Sequence, residues 1–550
     1  MLLDRTIYPR SMLERHLGVG SIHTEGDNWN VPEHLEATVL DALTRWLAEA
    51  ADCSMDLTPD PDGLRTGESE PHSVGIPLSG IQLPAFNHYR TTELSAGIHF
   101  TSVDTGSWTL LTDAELALLK HSRPNELPLP LADKLDRSFI RLTSENLTAF
   151  SDRLSRHYSF LSWGPTLHII VVTRQCNLRC VYCQAASGPD RNEHMSVATA
   201  LTAVDRAFET PARSLTLEFQ GGEPLLAFPV VEAAAKHAVA LASKTSRHLR
   251  LCIVSNFTEP AQEERLRALI RLGFSFSVSV DGPASVHDTN RGVGRHGCFS
   301  AVEANIQAFR RVWAEEHPGP PEIGALLTTT RASLTLARDI VDTYLDLGFG
   351  SVTIRPLSPF GRAPGIAPQL DYEVSEFLDF WKDILAYVFE LRNSGRDVRE
   401  GALDLILRKL FGRDAHFMDL RSPCGAAFGQ VAYDVNGDVY TCDEARMVGG
   451  DRFRMGPLAM PLMTLLSSPA ATRTAAASMA EASWCDHCAF EPFCGVCPVV
   501  NHAEAGALVH NVLAQRRCAI QAGMTRHVLE LFAHDADARR HFAAMAESAF

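Results

Sequence analysis

Apolar runs and amphipathic stretches alternate regularly between residues 165 and 357 of the chain. Short apolar or alternating runs are typical of strands, and apolar residues three or four positions apart are typical of helices. The predicted strands are 167–173, 214–220, 249–256, 275–280, 322–329 and 351–357, and the helices between them are 195–209, 229–244, 261–272, 299–315 and 333–347. Six strand–helix alternations predict an α/β fold with a parallel sheet, curved or closed, and functional loops at the C-terminal ends of the strands.

A different pattern precedes this region. GIHFTSV, the turn-like DTG and SWTLL (97–111) predict a hairpin, and helical spacing follows in DAELALLKH (113–121) and LTAFSDRLSRHYSFL (147–161). These elements indicate a small strand-and-helix module. Farther upstream, HLEATVLDALTRWLAEA (34–50) has helical spacing, and residues 54–73 form a linker rich in proline, glycine and acidic residues.

Composition and charge narrow the class of protein. The chain has 550 residues, of which 45% are hydrophobic and 21% are charged, so it is long and apolar enough for several packed domains. Its formal charge of -16 argues against general binding to nucleic acid or anionic membranes. The sequence shows neither a secretory signal nor an apolar run long enough to span a membrane. We therefore expect a cytoplasmic protein, in a reducing compartment that suits thiolate ligands.

Ten of the thirteen cysteines fall into two spaced sets. The first set, Cys176, Cys180 and Cys183, has the spacing C-x3-C-x2-C and directly follows the first predicted strand. A four-iron, four-sulfur cluster takes one thiolate per iron, so three cysteines leave one iron open to a small molecule. A structural zinc site prefers paired C-x2-C knuckles and four ligands, which this spacing fits poorly.

The stretch TLHIIVVTRQCNLRCVYCQ, with Tyr182 before the third cysteine, resembles the signature of the radical S-adenosylmethionine (radical SAM) family. The resemblance implies a partial six-fold (β/α) barrel in which SAM chelates the open iron through its amino and carboxylate groups. One electron then cleaves SAM to a 5'-deoxyadenosyl radical. The cofactor supplies the difficult chemistry, and the protein orients and shields it.

Several strand ends match SAM-binding positions of that family. The second predicted strand ends in QGGEP, where the glycines permit close backbone approach and the carboxylate suits an ammonium group. An arginine in VHDTNRG matches a family arginine whose planar fork suits the SAM carboxylate. Asp281 and His287 lie in the same predicted loop, where a turn-capping aspartate and a solvated histidine are favoured over catalytic roles. The resemblance implies these SAM-binding residues: Gly221, Gly222, Glu223, Ser255, Asn256, Ser279 and Arg291.

The second set contains seven cysteines between Cys424 and Cys518. Its C-x2-C pairs are also ordinary zinc knuckles, so zinc remains an alternative when the set is taken alone. The order of the seven resembles the SPASM extension, which holds auxiliary four-iron clusters in enzymes that modify peptides. CGVC is one residue shorter than the last pair usual in that family, which makes the loop around Cys497 less certain.

The family's ligand partition implies two auxiliary clusters, and therefore three [4Fe-4S] clusters in all. The outer cluster would take Cys485, Cys488, Cys494 and Cys518, and the inner cluster would take Cys424, Cys442 and Cys497. The fourth position of the inner cluster stays open, or takes Asp443 or another oxygen donor. Asp443 also matches a proposed general base of sulfatase-maturing relatives, although hydrogen bonding in a turn is the plainer interpretation. Cys53, Cys252 and Cys298 lie outside both sets and are expected to be buried.

The stretch HYSFLSWGPTLHIIVVTRQCNLRCVYCQ, with the hairpin before it, most resembles the His-Xaa-Ser system radical SAM maturases. This implies a precursor peptide substrate modified after translation, with a side-chain crosslink as the product, and a reductant such as flavodoxin or ferredoxin. The alternatives are a sulfatase-type maturase that oxidises Cys or Ser to formylglycine, and a zinc-bound peptide-binding scaffold without catalysis.

The patterns and the resemblance together divide the chain into six parts. The strand-and-helix module is either a structural flap or a peptide-recognition element that adds a strand of leader peptide to its sheet. The predicted parts are an N-terminal segment (1–85), the module (86–160), the partial barrel (161–365), a helical linker (366–419), the cysteine-rich SPASM domain (420–525) and a C-terminal helix (526–550).

Overall fold

The computed structural model describes three short strands near the N-terminus and residues 86–259, 262–292, 297–411, 421–479 and 484–548. The three strands, β1 (Leu2–Asp4), β2 (His23–Glu25) and β3 (Asn28–Asn30), form an antiparallel sheet in the order β1-β3-β2. The helix predicted over 34–50 and Cys53 lie outside the described residues.

The strand-and-helix module has the predicted hairpin and one further strand. β4 (Tyr89–Glu93), β5 (Ile98–Val103) and β6 (Trp108–Thr112) form an antiparallel sheet in chain order. Helices α1 (Asp113–His121), α2 (Leu129–Arg137) and α3 (Leu147–His157) follow. α1 begins directly at the end of β6 because Thr112 and Glu115 form a capping box, each accepting the other's backbone N–H.

The six predicted strands are confirmed, each within two residues at either end. They are β7 (Leu167–Thr173), β8 (Ser214–Gly221), β9 (His248–Ser255), β10 (Phe274–Ser279), β11 (Ile323–Thr328) and β12 (Ser351–Arg355). The helices between them are α4 (Val197–Ala207), α5 (Phe228–Thr245), α6 (Glu263–Arg271), α7 (Ala284–Arg291), α8 (Cys298–Glu316) and α9 (Ala337–Asp346). α7 corrects the expectation that VHDTNRG is a loop.

The sheet is larger than the sequence predicted, with ten strands instead of six. Four short strands join it: β13 (Arg399–Glu400) beside β12, and β14 (Gln430–Tyr433), β15 (Asp438–Tyr440) and β16 (Arg454–Pro457) beyond β7. β14 pairs parallel to β7, with Val431 opposite His168. The cysteine-rich region thus continues the same sheet. These strands have two to four residues, too few for a period to emerge from the sequence.

Within the described residues, one face of the sheet is half-exposed over β8 to β12. In β8 and β10 the apolar residues are buried in the core with the helices, whereas Glu218, Gln220, Ser275 and Ser277 alternate with them and are half-exposed. β9, β11 and β12 show a similar alternation. Parallel sheets are normally covered on both faces, so a half-exposed polar face is unusual. This face ends at the C-terminal ends of the strands.

The remaining helices are α10 (Ala367–Leu370), α11 (Val374–Asn393), α12 (Gly401–Phe411), α13 (Asp443–Val448), α14 (Leu462–Leu466), α15 (Pro469–Ala477), α16 (Glu491–Cys494), α17 (Pro498–Ala505), α18 (Arg516–His534) and α19 (Ala536–Ser548). The single helix expected at 526–550 is therefore wrong. Asp535 is extended and ends α18, and its carboxylate accepts the N–H groups of Asp537 and Ala538 at the start of α19.

One helical stretch within the described residues, Pro224–Thr245, is long and apolar enough to cross a membrane by length and composition. Val231, Ala234, Ala235 and Ala238 of this stretch are completely buried in the core beside the sheet. Its apolar character therefore has a structural explanation within the fold.

His168 links β7 to β14 and makes stability depend on pH. It is completely buried, its Nδ1 lies 3.0 Å from the Tyr433 hydroxyl, and its Nε2 lies 3.0 Å from the Pro165 carbonyl. Burial lowers the pKa of His168 from 6.5 to about 4. Between these values the unfolded chain binds the extra proton, so stability falls as pH falls.

Replacing His168 with glutamine is expected to remove that contribution, which amounts to about 3 kcal/mol at the acid end. Urea unfolding at pH values from 7 to 4 should show a steeper loss of stability in the wild type than in His168→Gln. Equal slopes would contradict the assignment.

Candidate active site

The first cysteine set lies on a loop that begins where β7 ends. β8 ends beside it, and Gly222 N and Glu223 N donate to the carbonyls of Thr173 and Gln175 at 2.8 and 2.9 Å. A Cβ on Gly221 would lie 2.1 Å from the Thr173 oxygen, and one on Gly222 would lie 2.0 Å from the Gln175 oxygen. The close backbone approach predicted for these glycines is thus present, and its partner is the chain's own cysteine loop.

Cys176 is buried and receives two N–H groups. Leu178 N lies 3.4 Å and Asn256 Nδ2 lies 3.5 Å from its sulfur, and burial raises the pKa of its thiol to about 11. Cys183 is an electrostatic neighbour of both Cys176 and Cys180 and raises the pKa of both thiols, and Cys176 raises the pKa of Cys180. The three thiolates would repel one another, and iron would stabilise these ionised forms because it binds thiolate.

Arg362 and Gly361 hold this loop in place, and the sequence did not predict either residue. Arg362 donates its backbone N–H to the Cys183 carbonyl at 3.1 Å, and its guanidinium to the carbonyls of Cys180 and Ser187 at 3.4 and 2.5 Å. Gly361 has a φ of +65°, and a Cβ there would lie 2.2 Å from the Cys183 oxygen. Both residues lie more than 170 positions from the loop, so spacing gave no signal for them.

Glu223 is completely buried between the ends of β8 and β9. Its carboxylate accepts from Leu225 N at 3.0 Å, from the Ser255 hydroxyl at 2.9 Å and from Asn256 N at 2.8 Å. Burial raises the pKa of Glu223 to about 7, although these three neutral donors favour the charged form. The structure thus brings together three of the predicted SAM-binding residues.

Arg291 ends α7 and is buried beside the cysteine loop. Its Nη2 donates to Asp281 Oδ1 at 3.0 Å, and its guanidinium carbon lies 5.4 Å from the centre of the Tyr182 ring. Its Nε is buried and has no hydrogen-bond partner among the described residues. Ser279 is half-exposed at the end of β10, opposite Leu326.

Asp281 and His287 correct two expectations. Asp281 is completely buried and accepts from the Tyr182 hydroxyl at 2.5 Å and from Asn290 Nδ2 at 3.2 Å, so it joins the cysteine loop to α7 and caps no exposed turn. His287 is also completely buried, not solvated, and its Nε2 lies 3.6 Å from the Cys298 sulfur. Burial lowers the pKa of His287 to about 4.

Residues 170–314 match the model of the radical SAM superfamily. These residues form a radical SAM domain. The fold agrees: native anSMEcpe with bound AdoMet (SAM) has 18% identity and a TM-score of 0.57, covering 67% of this chain and 99% of that chain. The complex of native anSMEcpe with AdoMet and the Cp18Cys peptide has 18% identity and a TM-score of 0.54, covering 68% and 99%.

Two curated relatives match parts of the chain. The uncharacterized protein MJ0907 of Methanocaldococcus jannaschii is 39% identical over 64 residues, 12% of this chain and 21% of its own. GTP 3',8-cyclase of Desulforamulus reducens is 31% identical over 158 residues, which cover 27% of this chain and 43% of that protein. The chain thus spans less than half the length of either relative. The match to the radical SAM superfamily supports an enzyme.

The radical SAM domain has the donors that its cofactors need. Cys176, Cys180 and Cys183 could supply three thiolates to one four-iron cluster. Glu223 offers a buried carboxylate, held by neutral donors, to an ammonium group, and Arg291 has an N–H free for a carboxylate. The chemistry of this donor set would suit a four-iron cluster and the amino-acid end of SAM.

The second cysteine set separates into two groups. In the inner group, Cys424 and Cys497 share a hydrogen bond, and Cys442 is an electrostatic neighbour of both. In the outer group, Cys488, Cys494 and Cys518 act on one another. Cys485 lies one turn before Cys488, whose N–H its carbonyl accepts at 3.0 Å. The division of these cysteines between two clusters stays a prediction.

In the described part of the chain, no three His, Cys, Asp or Glu side chains converge on a single metal ion. The thiolates of a four-iron cluster bind different irons and need not converge on one point. The other two described cysteines belong to neither set. Cys298 is buried beside Cys176 and Leu178, and Cys252 is half-buried with a hydrogen bond to Ser275.

Asp443 is buried at the first position of α13, next to the inner cysteine Cys442. Its Oδ1 accepts from Arg446 Nε at 2.9 Å and lies 2.8 Å from Arg446 Nη2. The carboxylate is thus paired with a buried guanidinium, which the sequence reasoning did not consider. The Cys442 sulfur accepts the Ala445 N–H at 3.3 Å and caps the same helix.

Proposed function

We propose that the protein is a radical SAM enzyme that modifies a ribosomally made precursor peptide after translation and joins two of its side chains in a crosslink. The observation that carries the proposal is the packing of Cys176 and its loop against Glu223, Ser255 and Asn256 at the strand ends. Radical SAM superfamily membership of residues 170–314 supports it.

The residues of the chain have distinct tasks in this function. Cys176, Cys180 and Cys183 would hold the SAM-binding [4Fe-4S] cluster, Glu223 would bind the SAM ammonium group and Arg291 its carboxylate. Bound there, SAM would supply the radical chemistry that removes hydrogen from a substrate side chain. The hydrogen bond from Tyr182 to Asp281, which also accepts from Asn290, joins the cysteine loop to α7. Arg362 binds carbonyls of the same loop, so the loop keeps its shape.

We place the peptide on the half-exposed face of β8 to β12. Its half-exposed Glu218, Gln220, Ser275 and Ser277 offer polar partners to a peptide, and the face leads to the cysteine loop. Support comes from anSMEcpe, a protein of the same fold, which has been solved with AdoMet and a bound peptide.

The seven cysteines of the second set would hold two auxiliary [4Fe-4S] clusters, in the SPASM arrangement. We place the enzyme in the cytoplasm, with flavodoxin or ferredoxin as its reductant, because thiolate ligands and low-potential clusters need a reducing compartment. A His-Xaa-Ser type of precursor is the substrate we expect.

The test is anaerobic co-expression with the short peptides encoded beside the gene, followed by mass spectrometry. The proposal predicts a loss of two hydrogens without a new aldehyde, measured as no reaction with hydroxylamine. A peptide that gains a hydroxylamine-reactive aldehyde would instead indicate formylglycine formation. An unchanged peptide and a colourless zinc protein would indicate the non-enzymatic scaffold.

Asp443 is the residue we propose as general base for the substrate. Replacing it with asparagine is expected to lower the yield of modified peptide about a hundredfold, because a positioned base contributes factors of that order. SAM cleavage should persist, since Asp443 lies outside the SAM-binding loop. Asp438→Asn, which removes another arginine-paired carboxylate, is the control. A normal yield of modified peptide from Asp443→Asn would show that Asp443 has only a structural role, in its ion pair with Arg446.

A further inference from the structure

The turn after β9 (residues 255–259) holds the start of the cysteine loop. Asn256 Nδ2 donates to Asn177 Oδ1 at 2.8 Å and to the Cys176 sulfur at 3.5 Å. Asn177 Nδ2 in turn donates to the Thr258 hydroxyl oxygen at 3.0 Å. Two asparagines, one on each side, thus join the turn to the loop.

The side chain of Asn256 has its full hydrogen-bonding capacity in use. Its Oδ1 accepts from Thr258 N at 2.9 Å and from the Thr258 hydroxyl at 2.7 Å. A backbone N–H can only donate, so this contact fixes the amide oxygen toward Thr258 and the amide nitrogen toward Cys176. Both N–H groups and both oxygen lone pairs therefore have partners within the protein. This arrangement favours a task within the protein over a direct contact of the side chain with SAM.

The core of the domain holds this turn in an uncommon conformation. Phe257 has a φ of +56°, in the left-handed region that residues with a Cβ rarely adopt. Its ring is buried, 6.1 Å from the Phe276 ring and 6.3 Å from the Phe309 ring, and Asn305 Nδ2 on α8 donates to its carbonyl at 2.8 Å. Strained backbone of this kind persists where its surroundings over-determine it. The position of Asn256 is therefore set by the core and not by the cysteine loop.

The donors to the Cys176 sulfur come from two different elements. Leu178 N belongs to the cysteine loop itself, whereas Asn256 Nδ2 reaches the sulfur from the turn after β9. Reduction adds a negative charge to a four-iron cluster, and an N–H group directed at a cysteine sulfur stabilises that charge. Hydrogen bonds to the sulfurs therefore raise the reduction potential of a cluster.

We propose that Asn256 is a positioning residue that holds Cys176 in place for the [4Fe-4S] cluster of the first cysteine set and, through its N–H···S hydrogen bond, makes this cluster easier to reduce. The inference rests on the proposed function, since it requires the SAM-binding cluster. It gives the two parts of Asn256 separate tasks: the side chain serves the cysteine loop, and the backbone N–H serves Glu223, to which it donates at 2.8 Å.

A redox titration of the anaerobically purified holoprotein, followed by electron paramagnetic resonance, tests the inference. Cys176→Ala identifies the signal of this cluster by its loss. In Asn256→Ala the ratio of reduced to oxidised cluster at a fixed potential should fall about tenfold, which corresponds to a potential about 59 mV lower for one electron. In Asn256→Asp the fall should be larger, because a carboxylate oxygen replaces the donor beside the sulfur.

The order of these two variants separates the N–H···S bond from a purely structural role. Aspartate has the size of asparagine and keeps the acceptor for Thr258, so a structural role alone would leave Asn256→Asp closer to the wild type than Asn256→Ala. Asn177→Ala removes the other asparagine of the contact but keeps the bond to the sulfur, and its cluster should have the wild-type potential.

Asn146→Ala is the control for the general cost of removing a bonded asparagine. Asn146 lies in the strand-and-helix module, and its Nδ2 donates to the carbonyls of Asp136 and Arg141 at 3.0 and 2.9 Å. This variant should keep the wild-type iron content and potential. If Asn256→Ala or Asn256→Asp loses about four irons while Asn177→Ala retains them, the loss supports the positioning role.

Three results would overturn the inference. They are an Asn256→Ala protein with full iron and the wild-type potential, equal changes in Asn256→Ala and Asn177→Ala, and a higher potential in Asn256→Asp than in Asn256→Ala. A wild-type signal that is unchanged in Cys176→Ala would instead show that the SAM-binding cluster of the proposed function is absent.

Discussion

Cys176→Ala is expected to reduce SAM cleavage to the rate without protein and to remove about four irons per chain, because each iron of the first cluster depends on its thiolates. Cys176 is the deepest of the three cysteines in the first set, and its sulfur receives the N–H groups of Leu178 and Asn256. Alanine removes both the ligand and the anchor of the loop. Dithionite-driven formation of 5'-deoxyadenosine and iron analysis provide the two readouts.

Cys252→Ala is the matched control for this prediction. Cys252 lies on β9, in the same domain, with its thiol bonded to Ser275, and belongs to neither cysteine set. The Cys252→Ala protein should retain its iron and should cleave SAM as the wild type does. If Cys176→Ala cleaved SAM as the wild type does, the assignment of the first cysteine set would be wrong.

Gly222→Ala is expected to have nearly as large an effect without changing a single ligand. The new Cβ would lie 2.0 Å from the Gln175 oxygen, which directly precedes Cys176, so either the strand end or the cysteine loop must move. Overpacking of this kind costs about 1–3 kcal/mol or more, and here the shift falls on the loop that carries the ligands. We expect iron in the first cluster and SAM cleavage to be lost together.

Gly324→Ala separates this effect from the general cost of replacing a strand glycine. Gly324 lies on β11, and a Cβ there would meet no atom within 4 Å. That variant should retain wild-type iron content and cleavage. A Gly222→Ala protein with normal iron would show that the contact with Gln175 yields without moving Cys176.

The parts of the fold that could be predicted are those with a local signature. β7 to β12 carry apolar patterns long enough to show their period, and the cysteine sets are defined by spacing. In contrast, β13 to β16 are too short, and they form because the central sheet offers them an edge. The ion pairs of Asp443 with Arg446 and of Asp281 with Arg291 place charge beside the site, which patterns along the chain do not show.

Most of the residues near the cysteines that the sequence did not predict make contacts with residues far away in the chain. Arg362 reaches the carbonyls of Cys180 and Ser187, and Lys409 reaches Phe493, across separations of 84 residues or more. Neither residue belongs to a motif. The polar neighbours of His287 predicted a solvated side chain, but the fold buries this residue of α7 beside Cys298.

The most direct test of the account is to incubate the anaerobically purified wild-type holoprotein with dithionite and SAM, and to measure the products by liquid chromatography and mass spectrometry. A radical SAM enzyme with three four-iron clusters should give 5'-deoxyadenosine and methionine in equal amounts, from a brown protein that contains roughly twelve irons per chain. Intact SAM after incubation with an iron-loaded protein would contradict it.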